Sequence, residues 1–218
     1  NFSEIVNMQN TKLIWATPDA DKLLAYIARV SNPENQENEN IVGLLSYMLR
    51  NGHVSPFEMA HACIEINTTR DIGRQILRHR SCSFQEFSGR YQSYDKLPAA
   101  ELRECRLQDT KNRQNSLDTD NAYLTETWKQ RQRQVLEAAQ GTYQWALDHG
   151  IAKEQARAVL PEGLTPSRLY MVGSLRSWIH YLTSRLDPST QKEHRLVALE
   201  IQEILRGVAP VAMEAAGL

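Results

Sequence analysis

The chain has 218 residues, enough for one sizeable hydrophobic core and at most a second small lobe. With 25 Lys and Arg against 26 Asp and Glu its formal charge is −1, which argues against a general nucleic-acid binder, since such proteins carry a basic excess. No apolar run of about eighteen residues occurs, so no membrane span is expected.

The opening NFSEIVNMQN lacks the charged and apolar regions of a leader peptide. Thr11 to Ala16 reads as a short strand. Asp19 to Val30 reads as a helix with Leu23, Leu24, Ile27 and Ala28 on one face, stopped by Ser31-Asn32-Pro33. Glu34 to Asn40 is polar and reads as a loop. Ile41 to Arg50 is a second helix, with Gly52 as its C-terminal cap. His53 to Glu58 reads as a turn leading into a strand. From Ala62 to Thr68 apolar Ala62, Ile64 and Ile66 alternate with Cys63, Glu65 and Asn67, the pattern of a half-buried strand.

The most informative stretch is Arg70 to Asp95, RDIGRQILRHRSCSFQEFSGRYQSYD, with five arginines (Arg70, Arg74, Arg78, Arg80 and Arg90) and His79. Thr68, Thr69 or Asp71 can cap a helix here that ends near Arg78. Arg70, Arg74 and Arg78 are four apart and share one face of that helix. Such a stripe is either a solvated basic face or the floor of an anion site, because guanidinium forks suit phosphate and carboxylate. Gln85, Glu86, Ser88, Arg90 and Tyr91 follow it in a loop or strand and add donors and acceptors.

Leu102 to Ser116 is polar and reads as a long surface connection. Thr119 to Asp148 reads as one long helix or two, with Gly141 a weak point and Gly150 at its end. Ile151 to Leu160 is a further helix stopped by Pro161. Leu169 to Val172 reads as a strand, Gly173 to Leu186 as a helix, and Thr190 to Arg206 as the last helix, capped near Gly207. The mixture predicts one domain, residues 1–218, of the α/β class (α+β type), with a central, largely antiparallel sheet flanked by helices.

The three cysteines, Cys63, Cys82 and Cys105, are odd in number and lack CxxC spacing. That favours a reducing compartment such as the cytoplasm over a disulfide frame or zinc site. No pair among His53, His61, His79, His149, His180 and His194 has the spacing of a zinc signature, so no metal is expected, and His149 and His194 read as ordinary surface or helix-end residues.

Arg78-His79-Arg80, then seven residues, then Ser88 resembles the signature of the flavin-dependent thymidylate synthases. Its longer form is RHR-x-x-S-x-N-E-x-S-x-R-Y, and this chain reads RHRSCSFQEFSGRY, with Gln85 where the family usually has Asn. Three further segments are similar to family motifs in the family's order. His53 to Glu58 matches H-x-[ST]-P-F-E, Ala156 to Pro161 matches AR-x-VLP, and Ser174 to Arg185 matches the N-x-R-S helix with Ser174 in place of the commoner Asn.

The resemblance implies that dUMP is held by Gln75, Ile76, Leu77, Arg78, Glu86, Phe87, Ser88, Gly89, Arg90, Arg157 and Arg185. It implies that non-covalent FAD is held by Ser31, Ser55, Arg78, His79, Arg80, Glu86, Ser174, Leu175, Arg176 and His180. It further implies NADPH as reductant, methylenetetrahydrofolate as one-carbon donor, and a homotetramer whose sites are shared between subunits. Arg185 is the residue expected to favour the ionised uracil; a guanidinium is too weak an acid to act as a base at neutral pH but can stabilise an anion. Cys82 among arginines could be an activated thiol and Ser88 a nucleophile, but the surrounding motif points to positioning chemistry with no covalent protein nucleophile. Two other readings stay open: a nucleotide- or RNA-binding module, and a flavin binder without turnover.

Overall fold

The structure is a computed structural model that describes residues 10–97 and 99–218. The reading of the first nine residues as not a leader lies outside the described residues. Four strands form the central sheet: β1 (Thr11–Ala16), β2 (His61–Thr69), β3 (Ser83–Glu86) and, after the hairpin strands described below, β6 (Pro166–Ser174). The order is β1-β2-β6-β3 and every pairing is antiparallel, as expected. The latest strand in sequence therefore lies between β2 and β3. Its register sets Ala62 opposite Gly173, Ile64 opposite Met171 and Glu86 opposite Leu169.

One face of the sheet is buried. Ala62, Ile64, Ile66, Leu169 and Met171 are inaccessible to solvent, whereas Cys63, Glu65, Asn67 and Tyr170 on the other face are not. The period-2 pattern of β2 dictates this, and each fully buried Ile, Leu or Met adds about 1.5–3 kcal/mol. The helices that cover this face are α3 (Arg70–Ile76), α6 (Leu175–Arg185) and α7 (Lys192–Val208). In α7 the buried residues His194, Val197, Ala198, Ile201 and Leu205 recur at helical spacing, so one stripe seals the core.

Helices α1 (Ala20–Ala28) and α2 (Val42–Arg50) match the expected segments, trimmed at their ends. Asp19 takes the left-handed conformation before α1, with φ 47° and no side-chain cap. Gly52 follows α2 with φ +70°, where a glycine is needed. The long segment is a single helix, α4 (Ala122–Asp148), with Gly141 inside it and the Asn121 side chain accepting from the Leu124 N–H at 2.9 Å.

Four expectations need correction. Residues 102–116 are more than the expected surface connection: β4 (Arg106–Gln108) pairs with β5 (Ser116–Asp118) in a separate hairpin. The helix expected from Ile151 to Leu160 shrinks to α5 (Lys153–Ala156) followed by a 3-10 turn, Arg157–Val159, because Leu160 is already extended ahead of Pro161. Gly207 does not cap α7 but lies within it. A last helix, α8 (Pro210–Ala215), was not foreseen; the buried Asp21 carboxylate accepts from its Val211 and Ala212 N–H groups at 2.8 and 2.9 Å.

No helix among the described residues is long and apolar enough to cross a membrane. Cys63, Cys82 and Cys105 are free thiols.

Candidate active site

Helix α6 carries two faces with different tasks. Leu175, Trp178, Tyr181 and Leu182 point into the core, and buried Ser177 borders the cleft. Arg176, Ile179, His180 and Thr183 fall on the opposite stripe and line a cleft of about 610 Å³ with Leu49, Val54, Phe57, Glu58 and Ser81. Ser174 caps the helix, its Oγ accepting from the Ser177 N–H at 3.3 Å and donating to Glu58 at 2.5 Å. The other Glu58 oxygen takes the Arg176 guanidinium at 2.9 Å. Glu58 thus ties Ser174 and Arg176 to the Ser55–Glu58 turn, where Ser55 opens the first position. The sequence reading left Glu58 without a task although it closes the SPFE segment. An apolar wall facing an arginine and a histidine suits an aromatic ring carrying phosphate, so the donor set fits a flavin nucleotide.

Of the residues expected around that cofactor, Ser174, Arg176 and His180 are brought together, and Arg80 lies next to the cleft-lining Ser81. The Leu175 side chain is buried in the core, so only its backbone could serve a ligand, and its N–H already donates to the Ala60 carbonyl at 2.8 Å. Ser31 sits in the exposed turn after α1 and does not line the cleft.

His79 links this cleft to Arg185. Its Nε2 accepts from Arg185 Nε at 2.8 Å, and its ring packs edge-on to Tyr181 at 4.8 Å and lies 6.4 Å from His180. Burial, and then the positive charge of Arg185 and the neighbouring His180, lower its pKa to about 4. At neutral pH His79 is therefore an uncharged acceptor. It fixes the guanidinium of Arg185 through Nε and leaves the two terminal nitrogens for another partner.

Helix α3 ends at Ile76, so Arg78 does not share a helical face with Arg70 and Arg74. Arg70 donates to the Tyr94 hydroxyl, Arg74 pairs with Glu162, and Arg78 and Arg80 are exposed. Ile76 is fully buried, and Leu77 half-buried, which leaves their backbones as the available contacts. The Gln75 amide turns inward to Gln191 and His194.

Glu86 ends β3 and accepts from Ser167 Oγ at 2.7 Å, with Gly73 of α3 beside it. Phe87 packs on Tyr94. Ser88 opens a turn, its carbonyl accepting from Tyr91 and Gln92, and Gly89 lies so closely against the Tyr94 ring that an added Cβ would collide with it. This turn meets α5: Arg90 is 3.6 Å from Glu154, and Lys153 donates to the Tyr91 carbonyl at 3.2 Å. Arg157 starts the 3-10 turn immediately after α5. Two groups result, one around Arg185 and His79, the other joining Ser88, Gly89 and Arg90 to the Arg157 segment. No hydrogen bond or ion pair among the described residues connects them.

Cys82 is buried, and burial pushes its thiol up to about 11, so the arginines of the segment do not activate it. Gly173 makes room for it; a Cβ there would lie 2.8 Å from its Sγ. His149 is exposed, as expected, and stacks on Trp145; His194 does lie at a helix end, in the first turn of α7, but it is fully buried there and not a surface residue. Its helical spacing to Val197 and Ile201 was the available signal. Among the described residues no cluster of three or more His, Cys, Asp or Glu side chains is placed to hold a metal ion.

Comparison with known proteins extends this geometry. Residues 12–211 match the family described as "Thymidylate synthase complementing protein". The chain is 53% identical over 182 residues to a flavin-dependent thymidylate synthase of Synechocystis sp., covering 84% of this chain and 82% of that one. It is 47% identical over 186 residues to a probable flavin-dependent thymidylate synthase of Paramecium bursaria Chlorella virus 1, covering 85% of each. Its fold is similar to that of PolB, a UMP/dUMP methylase from Streptomyces cacaoi bound with 5-Br dUMP, with a TM-score of 0.82, 27% identity and 94% and 93% coverage.

Proposed function

Because this chain belongs to the flavin-dependent thymidylate synthase family, we propose that it converts dUMP to dTMP by reductive methylation. Methylenetetrahydrofolate is the one-carbon donor in this reading, NADPH the reductant and FAD the cofactor. The observation that carries it is the junction of the α6 cleft, with Arg176 and His180, and the His79–Arg185 pair. A cofactor-type pocket and a pre-aimed guanidinium meet on one helix.

Bound and reduced, FAD supplies hydride for the transferred carbon. The chain's own part is positioning and electrostatics. Arg185, held through Nε by neutral His79, offers its terminal N–H groups to the uracil and stabilises the anion left when N3 loses its proton. Arg78, Arg90 and Arg157 hold phosphate, with Ser88 and the backbone of the Ser88–Gly89 turn as further donors. Glu86 and Gln75 contribute polar contacts near the ring, with the backbones of Ile76, Leu77 and Phe87. Ser55, Ser174 and Arg176 anchor the cofactor, with Glu58 orienting the last two. Ser31, Arg78, His79, Arg80, Glu86, His180 and the backbone of Leu175 complete that set. No protein nucleophile is needed, in keeping with a protonated Cys82.

The separation of the Arg157 group from the Arg185 group supports a site completed by another copy of the chain, and a homotetramer is the assembly in this reading. Exposed aromatic residues on α4 support the same view: Tyr123 is 82% exposed and Trp145 56%. The free thiols agree with a reducing, cytoplasmic setting.

The test is dTMP formation with dUMP, FAD, NADPH and methylenetetrahydrofolate, omitting each in turn. Product that vanishes without FAD or NADPH is the expected result. Product without either overturns the flavin route, and flavin binding without any product identifies an inactive relative.

A further inference from the structure

Behind Arg185 a row of polar side chains runs from α6 to the hairpin, and its hydrogen-bond sense is forced from one end. Glu193 is a carboxylate held by Arg106, with Arg103 at 3.8 Å, so it can only accept. Gln191 Nε2 lies 2.9 Å from it and donates. The Gln191 carbonyl oxygen is then the atom 2.7 Å from the Gln75 amide nitrogen, which donates in turn. This leaves Gln75 Oε1 as the acceptor 3.3 Å from His194 Nδ1, which must carry the proton. His194 Nε2 keeps its lone pair and accepts the Tyr181 hydroxyl at 3.1 Å.

Tyr181 and His194 are inaccessible to solvent. Burial raises the phenol and lowers the imidazole, so both stay neutral and the sense holds. Reversing any link would set the Gln191 oxygen against the Glu193 carboxylate.

We propose that His194 is a positioning residue for substrate recognition: with Tyr181 and Gln191 it fixes which way the Gln75 amide faces. The inference rests on the reading of Gln75 as part of the dUMP site. Gln75 is half-buried, and after its two internal bonds one N–H and one lone pair remain. Uracil and phosphate present mainly acceptor oxygens. A flipped amide exchanges the spare N–H for a carbonyl and turns an attraction into a repulsion.

The test compares His194→Asn, which keeps a donor near the Nδ1 position, with His194→Gln, which does not. Both are made in the full chain with FAD, and dUMP binding is measured by calorimetric titration beside kcat, KM and thermal midpoint. The Asn variant should bind dUMP within about threefold of the parent, and the Gln variant about tenfold more weakly. KM should rise while kcat stays. Gln191→Ala, at the half-exposed end, should weaken dUMP about fivefold without endangering the fold. Equal dUMP affinity in the Asn and Gln variants, or losses confined to kcat, overturns the inference while leaving the dUMP reading intact. If the His194 variants do not fold, Gln191→Ala decides alone: unchanged dUMP affinity refutes it. A parent chain that binds no dUMP refutes the Gln75 assignment, and the inference with it.

Discussion

Lowering the pH from 7 to 5 should destabilise the fold by about 4 kcal/mol through two buried histidines. His79 titrates at about 4 and His194 at about 3 in the folded chain, against 6.5 for a free imidazole. Burial is the first cause at both. Arg185 comes second at both, followed by His180 at His79 and by His79 at His194. Because both values are depressed, the unfolded chain binds the extra protons. Stability is intact above about pH 6.5 and falls as the pH drops toward the folded values. At pH 5 each unfolded imidazole is protonated and each folded one is not, which amounts to about 2 kcal/mol per residue. Asp21, whose carboxyl burial pushes upward, opposes this in part. Urea unfolding of the flavin-free chain at one protein concentration, followed by tryptophan fluorescence at pH 7, 6 and 5, measures the drop. His194→Gln should show only about half of it. An unchanged midpoint between pH 7 and pH 5, or a full drop in His194→Gln, refutes the reasoning.

Four further outcomes are expected. Arg185→Lys loses the Nε link to His79 and the guanidinium fork, and kcat should fall about 30-fold in the dTMP assay. Cys82→Ser should retain turnover, since a thiol pushed up to about 11 is protonated at working pH; loss of turnover with FAD still bound reinstates a cysteine route. Gly173→Ala drives a Cβ to 2.8 Å from Cys82 Sγ and should cost about 1–3 kcal/mol in urea unfolding, most of it recovered by adding Cys82→Ala. Asp21→Ala removes the acceptor of two α8 N–H groups and should cost about 2 kcal/mol, with faster hydrogen exchange at Val211 and Ala212.

Much of the architecture was legible because its signals are periodic and local. Ala62, Ile64 and Ile66 announced the buried face of β2, and Pro33 and Gly52 marked ends that the chain respects. The RHR segment was legible because its residue types are chemically demanding, not because it is helical; α3 stops before Arg78. What escaped was set by tertiary contact. β4 (Arg106-Leu107-Gln108) and β5 (Ser116-Leu117-Asp118) carry one leucine each and are too short to show a period, so only their pairing defines them. α8 is short and leans on a carboxylate 190 positions away. His79, assigned to the cofactor alone, also orients Arg185, and no spacing rule joins positions 106 residues apart. His194 is a helix-end histidine by position, but its burial and the partners of both ring nitrogens come from α3 and α6, which no local pattern in the sequence joins to it.

The bond between Asp21 and α8 also sets a schedule for synthesis. Val211 follows Asp21 by 190 residues, and at about 5–20 residues per second a ribosome needs roughly 10–40 s to cover that distance. During this interval α1 can form, but its carboxylate has only water as a partner and cannot be enclosed without penalty. The first helix is therefore locked by nearly the last, and a nascent chain halted before residue 211 should leave α1 exposed to proteolysis and to holding chaperones. Completion of the core is a late, all-chain event, and α8 acts as its bolt.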